Sequence, residues 1–218
     1  MEALLAFGAA LLAFRLAGSL ARRWRVTGAP QLAAWSASLL AYALASAALA
    51  WGAAAGWNEA SFRIYYTCGG LLTAPLLGVG SLLLVGRRWA APVGLVYTGL
   101  AAGIGFASPL TSPVSGTTIP EAQQHLELFP ERILAIVANS LGTIAVVAVA
   151  LLTIRRRPVG NTLIVAGVTA AAVGSAVAGL GVAQTAAFIA LGVVLLYAGM
   201  TVQRKNFVSF RMARKHPG

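Results

Sequence analysis

The chain has 218 residues, 59% of them hydrophobic and 10% charged, with 16 Lys and Arg against 5 acidic residues and a formal net charge of +11. A soluble domain carries about 45–50% apolar and roughly 25% charged residues, so this composition excludes a water-soluble globule. The acidic residues are all Glu (Glu2, Glu59, Glu121, Glu127 and Glu131) and there is no Asp, which removes aspartyl proteolysis and the Asp-rich, Mg-dependent transferases.

A helix crossing about 30 Å of hydrocarbon needs about 20 mainly apolar residues. Seven stretches qualify, at roughly 3–20, 31–51, 62–85, 89–109, 132–154, 161–180 and 183–203. The sequence therefore predicts an all-α, polytopic, multi-pass protein of the cell membrane: one seven-helix domain over residues 1–203 and a basic tail at 204–218.

The first helix is preceded by Glu2 and followed by Arg22, Arg23 and Arg25. That is the reverse of a secretory signal and predicts a retained anchor with its N-terminus outside. Pro30 opens the second helix, where a missing N–H is tolerated. The third contains Pro75, after Gly69-Gly70 and before Gly78 and Gly80, and this predicts a kink whose freed carbonyls are satisfied by neighbours or water. Cys68, in the same helix, is single and forms no intrachain disulfide or thiolate metal site. Gly99 and Gly103 on the fourth helix, with Ala170, Gly174, Ala178, Gly192 and Gly199 on the sixth and seventh, offer small faces for close packing or a homo-oligomer seam.

Between the fourth and fifth helices, Leu110 to Gly116 reads as irregular chain. Thr118-Ile119-Pro120-Glu121 has the spacing of a capping box and predicts a short outer amphipathic helix over about 119–128. Asn161 and Thr162 are placed to cap the sixth helix. Trp35, Trp51, Trp57, Trp89 and Tyr197 read as interfacial aromatics. The tail, with Arg204, Lys205, Arg211, Arg214 and Lys215 among Phe207, Phe210 and Met212, suits anionic lipid head groups or a cytoplasmic partner.

Basic residues follow every second span, at Arg22–Arg25, Arg87–Arg88, Arg155–Arg157 and the tail. With Arg15 snorkelling from the first helix, fourteen of the sixteen cations fall on one side, and all five Glu fall on the other with Arg63 and Arg132. The N-terminus is expected outside and the C-terminus inside. The net charge is thus a topology signal, and no nucleic-acid partner is predicted.

Two groups of residues could carry function. At the outer face, Glu59 and Arg63, Glu121 and His125, and Glu127 and Glu131 are each four apart and share helix faces. Together they make an acidic rim; its spacing is too unspecific to assign a metal. Deeper lie Tyr42, Tyr65, Tyr66, Thr67, Tyr97, Thr98, Asn139, Ser140 and Thr143. Polar side chains in hydrocarbon face a bundle interior, so these are either interhelical hydrogen-bond glue or the lining of a solute cavity. Both lysines, Lys205 and Lys215, lie in the tail, which excludes a retinal Schiff base. His125 and His216 fall on opposite sides, which excludes bis-histidine haem, and no phosphate-binding Gly-rich loop is present. No cofactor and no catalytic residue is assigned.

Phe62-Arg63-Ile64-Tyr65-Tyr66 with Gly69-Gly70-Leu71-Leu72 and Pro75 to Gly80, Arg132 with Asn139-Ser140-Leu141-Gly142-Thr143, and Asn161-Thr162-Leu163-Ile164 resemble stretches of an uncharacterised family of seven-helix bacterial integral membrane proteins. The resemblance spans helices 3 to 6 and implies no activity. Pro30-Gln31 is similar to the dipeptide of the PQ-loop sugar and amino-acid transporters but has no counterpart near helix 5, so that family is not indicated.

The expected function is a small transporter or facilitator for a small polar, anionic or zwitterionic solute. Its outward-facing cavity would be lined by Arg63, Tyr65, Tyr66, Tyr97, Arg132, Asn139 and Ser140, the two arginines attracting the solute. The alternatives are a non-catalytic sensor or complex subunit that binds a ligand or partner at its outer face, and an enzyme on lipid or isoprenoid substrates that uses Glu121, His125 or Glu131 as acid or base. The lipid bilayer is the one partner common to all three.

Overall fold

A computed structural model describes residues 2–155 and 158–177, with isolated positions Leu191, Gly192, Val194, Leu195 and Ala198. The described residues form helices and no strand: α1 (Glu2–Thr27), α2 (Pro30–Ala55), α3 (Glu59–Leu84), α4 (Ala90–Ala107), the single turn α5 (Ala122–His125), α6 (Ile133–Thr153) and α7 (Pro158–Val177). Five helices are long and apolar enough to span a membrane: α1 to α4, and α6 together with the turn Leu128–Arg132 that leads into it. The chain is thus a helical protein fit for embedding in a membrane. The predicted seventh helix, apart from those isolated positions, and the basic tail lie outside the described residues.

α1 and α2 form an antiparallel hairpin. Gly28 closes α1 with φ 66°, a left-handed conformation open to glycine at no steric cost, and its N–H bonds the Trp24 carbonyl at 2.8 Å. Leu16, Ala17 and Leu20 pack against Leu32 and Leu39, and Ser36 Oγ donates across the pair to the Ala17 carbonyl at 2.9 Å. α1 runs on to Thr27, so Arg22, Arg23 and Arg25 lie on the helix rather than beyond it. Unbranched Arg side chains lose little freedom in a helix and carry it out of the apolar region.

α3 is central, packing on α2, α4 and α6. It starts with a reciprocal cap that the sequence analysis missed: Asn58 Oδ1 accepts from the Ser61 N–H at 2.9 Å, and Ser61 Oγ accepts from the Asn58 N–H at 3.0 Å. Where α3 crosses α6 the backbones touch. A Cβ added at Gly78 would lie 2.7 Å from Gly142 Cα, and one at Gly142 would strike the Ala74 carbonyl. On α4 the close approaches are at Gly94, against Val79, and Gly105, against Thr67; Gly99 and Gly103 have no neighbour within 4 Å. Four-residue spacing identified a small-residue face but not the face turned toward a partner.

Three further expectations need correction. Trp57 is buried rather than interfacial, its indole lying where a Cβ at Gly52 would be. Asn161 is not a cap: α7 starts at Pro158, and the buried Asn161 amide bridges to α6, donating to the Thr153 hydroxyl at 2.8 Å and the Ala150 carbonyl at 3.2 Å. The outer helix shrinks to Ala122–His125, with Glu121 extended and no side-chain cap bond. Packing wins over the capping signal there, because Leu110, Val114, Ile119 and Ala122 lay the segment down on Trp57, Phe62 and Leu126.

Candidate functional site

Proline inside a helix removes one N–H and its ring collides with the carbonyl four residues earlier. For Pro75 that carbonyl belongs to Leu71. α3 accommodates this by widening into a π-helix over Tyr66–Leu72, and side chains from its neighbours take the backbone oxygens. Tyr97 on α4 donates to the Leu71 carbonyl at 2.5 Å, and Asn139 on α6 donates to the Gly70 carbonyl at 2.5 Å. Thr73 Oγ1 bonds the Cys68 carbonyl at 2.8 Å and Ser38 on α2 bonds the Thr73 carbonyl at 2.7 Å. Going the other way, Tyr66 donates from α3 to the Glu131 carbonyl at 3.2 Å. Each such bond contributes about 1 kcal/mol in a membrane bundle, and together they fix a segment that its own ladder does not. π-segments recur at functional sites.

The structure thus brings Tyr66, Tyr97 and Asn139 to one place, around the π segment. Arg63 lies one turn above, its Nε on Glu59 at 2.9 Å and a terminal nitrogen on the Gly105 carbonyl at 3.4 Å. Tyr65 points elsewhere, edge-on to Trp57 with 5.4 Å between ring centres. Arg132 is half-buried and Ser140 exposed, so Ser140 does not join the set.

The acidic rim does not converge. Glu59 is engaged with Arg63, Glu121 accepts from Gln124 at 3.2 Å, and Glu127 is exposed. His125 and Glu131 are instead buried. Among the described residues no three of His, Cys, Asp or Glu come together as a metal site.

His125 stacks edge-on against Phe62 and places Nδ1 2.8 Å from Ser112 Oγ and 3.3 Å from the Ser112 carbonyl. Ser112 Oγ also bonds the Gln124 carbonyl at 2.7 Å, so the His-Ser pair joins the two ends of one loop. With the Thr111 N–H on the His125 carbonyl at 3.0 Å and the Trp57 N–H on the Gly116 carbonyl at 2.7 Å, it fastens the segment 110–126 as a cap over the end of α3.

Sequence reasoning missed that His125 and Glu131 are buried and that Ser112 is bonded to His125. The signal available for the π segment was Pro75 itself, whose position names the carbonyl it frees. Comparison with family models, with curated proteins and with solved structures returned no match.

Proposed function

We propose that the protein is a small membrane transporter or facilitator for a small polar, anionic or zwitterionic solute, admitted at the capped end of α3, the end expected outside from the distribution of cations. The observation that supports it is the interrupted backbone of α3, held by side chains of α4 and α6 rather than by its own ladder. Interrupted membrane helices are where transporters present backbone groups to solutes and ions. Bonds from separate helices can be exchanged for bonds to a solute without unfolding the helix. In this reading the arrangement described above is the closed one: Tyr66, Tyr97 and Asn139 line the cavity that opens, and Arg63 and Arg132 supply the attracting field.

The test is flux into proteoliposomes holding the full chain, across a panel of amino acids, organic anions and phosphates. Saturable flux that falls at least tenfold in Asn139→Leu is expected. No flux across the panel overturns the proposal. The cap supports a second reading, a subunit that binds a ligand or partner there, since Trp57, Thr111 and Ser112 tie it down as an ordered surface. A partner protein that stays bound through mild-detergent purification and is released by Ser112→Ala would favour that reading.

A further inference from the structure

α3 and α6 run in the same direction from the capped end: Tyr66 meets Glu131, Gly70 meets Asn139, and Gly78 meets Gly142 backbone to backbone. Below that clamp the two helices do not end together. α3 stops at Leu84, about 9 Å past Gly78, whereas α6 continues to Thr153, about 16 Å past Gly142. Gly86, at φ 85°, turns the chain into α4, through a conformation that glycine adopts at no steric cost. The space that α3 vacates beside α6 is a groove of about 350 Å³, within the size range of small-ligand sites.

Its walls are apolar: Leu82 and Val85 on one side, Ala145, Val149 and Leu152 of α6 on the other. Val85, Ala148 and Leu152, all on the groove, are exposed, so it opens sideways into whatever surrounds the bundle, which in a membrane is acyl chain. Its end is cationic. Arg87 lines the groove and Arg88 follows it, both exposed, and neither has a counter-ion, since Arg63–Glu59 is the only ion pair among the described residues. The acidic residues lie at the far end of the molecule: Glu59 opens α3, Glu121, Glu127 and Glu131 belong to the cap segment and the turn after it, and Glu2 is one turn before Ala6, which packs there. A second copy of the chain fits this charge poorly. A two-fold interface at the groove would set Arg87 and Arg88 against their own copies with no Glu at that level.

We propose that this groove binds one anionic phospholipid of the leaflet opposite the cap, an acyl chain lying along Ala145, Ala148 and Leu152 and the phosphate held by Arg87, with Arg88 adding to the field. Basic pockets between membrane helices take anionic head groups in this way. A zwitterionic lipid offers the same chain but brings its own cation to Arg87, so the charge sets the preference and the groove sets the affinity common to both. The bound lipid fills the wedge beneath the Gly78–Gly142 clamp and braces α3 against α6. The site is independent of the transport reading.

The experiment is native mass spectrometry of the full chain in mild detergent, equilibrated with phosphatidylglycerol or phosphatidylcholine of identical acyl chains. One tightly held phosphatidylglycerol per chain is expected, favoured over phosphatidylcholine by about fivefold or more. Arg87→Gln should bring the two lipids within about twofold of each other, Arg87→Lys should keep the preference, and Arg22→Gln, on α1, should leave it unchanged. Ala148→Phe, which fills the groove from an exposed position, should weaken both lipids alike. No retained lipid, or a preference that survives Arg87→Gln, overturns the proposal. So does a dimer that Ala148→Phe dissociates, which would make a second copy the occupant, or a disulfide between Leu152→Cys and a cysteine introduced in 183–203 of a Cys68→Ala chain, which would fill the groove from within. If Ala148→Phe does not fold, the contrast between Arg87→Gln and Arg87→Lys decides, because Arg87 is an exposed residue beyond the end of α3.

Discussion

Asn139 and Tyr97 supply to α3 what a proline denies it, and the cost of losing either is the cost of stranding a carbonyl in a dry interior. Asn139→Leu and Tyr97→Phe should each lower stability by about 1–2 kcal/mol in detergent unfolding. Because they hold adjacent carbonyls of one segment, the double variant should depart from additivity by at least about 0.5 kcal/mol. The two threonines of this region separate in the same way. Thr73 bonds the Cys68 carbonyl while the Thr67 hydroxyl is buried with no partner, so Thr73→Val should cost about 1 kcal/mol and Thr67→Val should be neutral or stabilising. Much of this was legible beforehand: Pro75 names Leu71 as the carbonyl that must find a donor, and an amide at mid-helix, such as Asn139, must find an acceptor. The burial of Glu131 was not legible, since it depends on where residues 110–126 fold, and i,i+4 spacing with Glu127 describes a helix face without saying what covers it.

At the scale of elements, the α3–α6 crossing is the tightest junction, because glycine meets backbone rather than a flexible side chain that could yield. Gly142→Val should cost about 3 kcal/mol or abolish folding, read from yield and melting. Gly99→Leu and Gly103→Leu on α4, equally glycine-to-large, should stay within about 0.5 kcal/mol, because nothing lies near either glycine. The contrast marks the limit of sequence reading here. Span positions follow from runs of apolar residues, and all five spans found lie where those runs lie; which glycine faces which helix is decided by tertiary packing alone. The outer helix failed for a related reason, a local capping signal outweighed by four apolar side chains with somewhere better to go.

For the whole molecule, orientation rests on the distribution of cations, which follow alternate spans. In a Cys68→Ala background, Thr27→Cys should react with impermeant thiol reagents only after the membrane is breached, and Ser115→Cys from outside intact cells. The opposite pattern would invert the protein in the membrane. One property of α3 reaches from end to end. A π segment is an α-helix with one residue too many, so everything on its capped side is turned by about 100° relative to an uninterrupted helix. Below it, the Gly78–Gly142 contact clamps α3 to α6; above it, Phe62 packs beneath the cap and Arg63 bonds the Gly105 carbonyl of α4. If the surplus residue migrated along the helix, each position it passed would rotate by that angle and advance by about 1.5 Å. The helix would then work as a screw with a movable thread, indexing the faces that Arg63, Tyr65 and Tyr66 present while its lower half stays fixed.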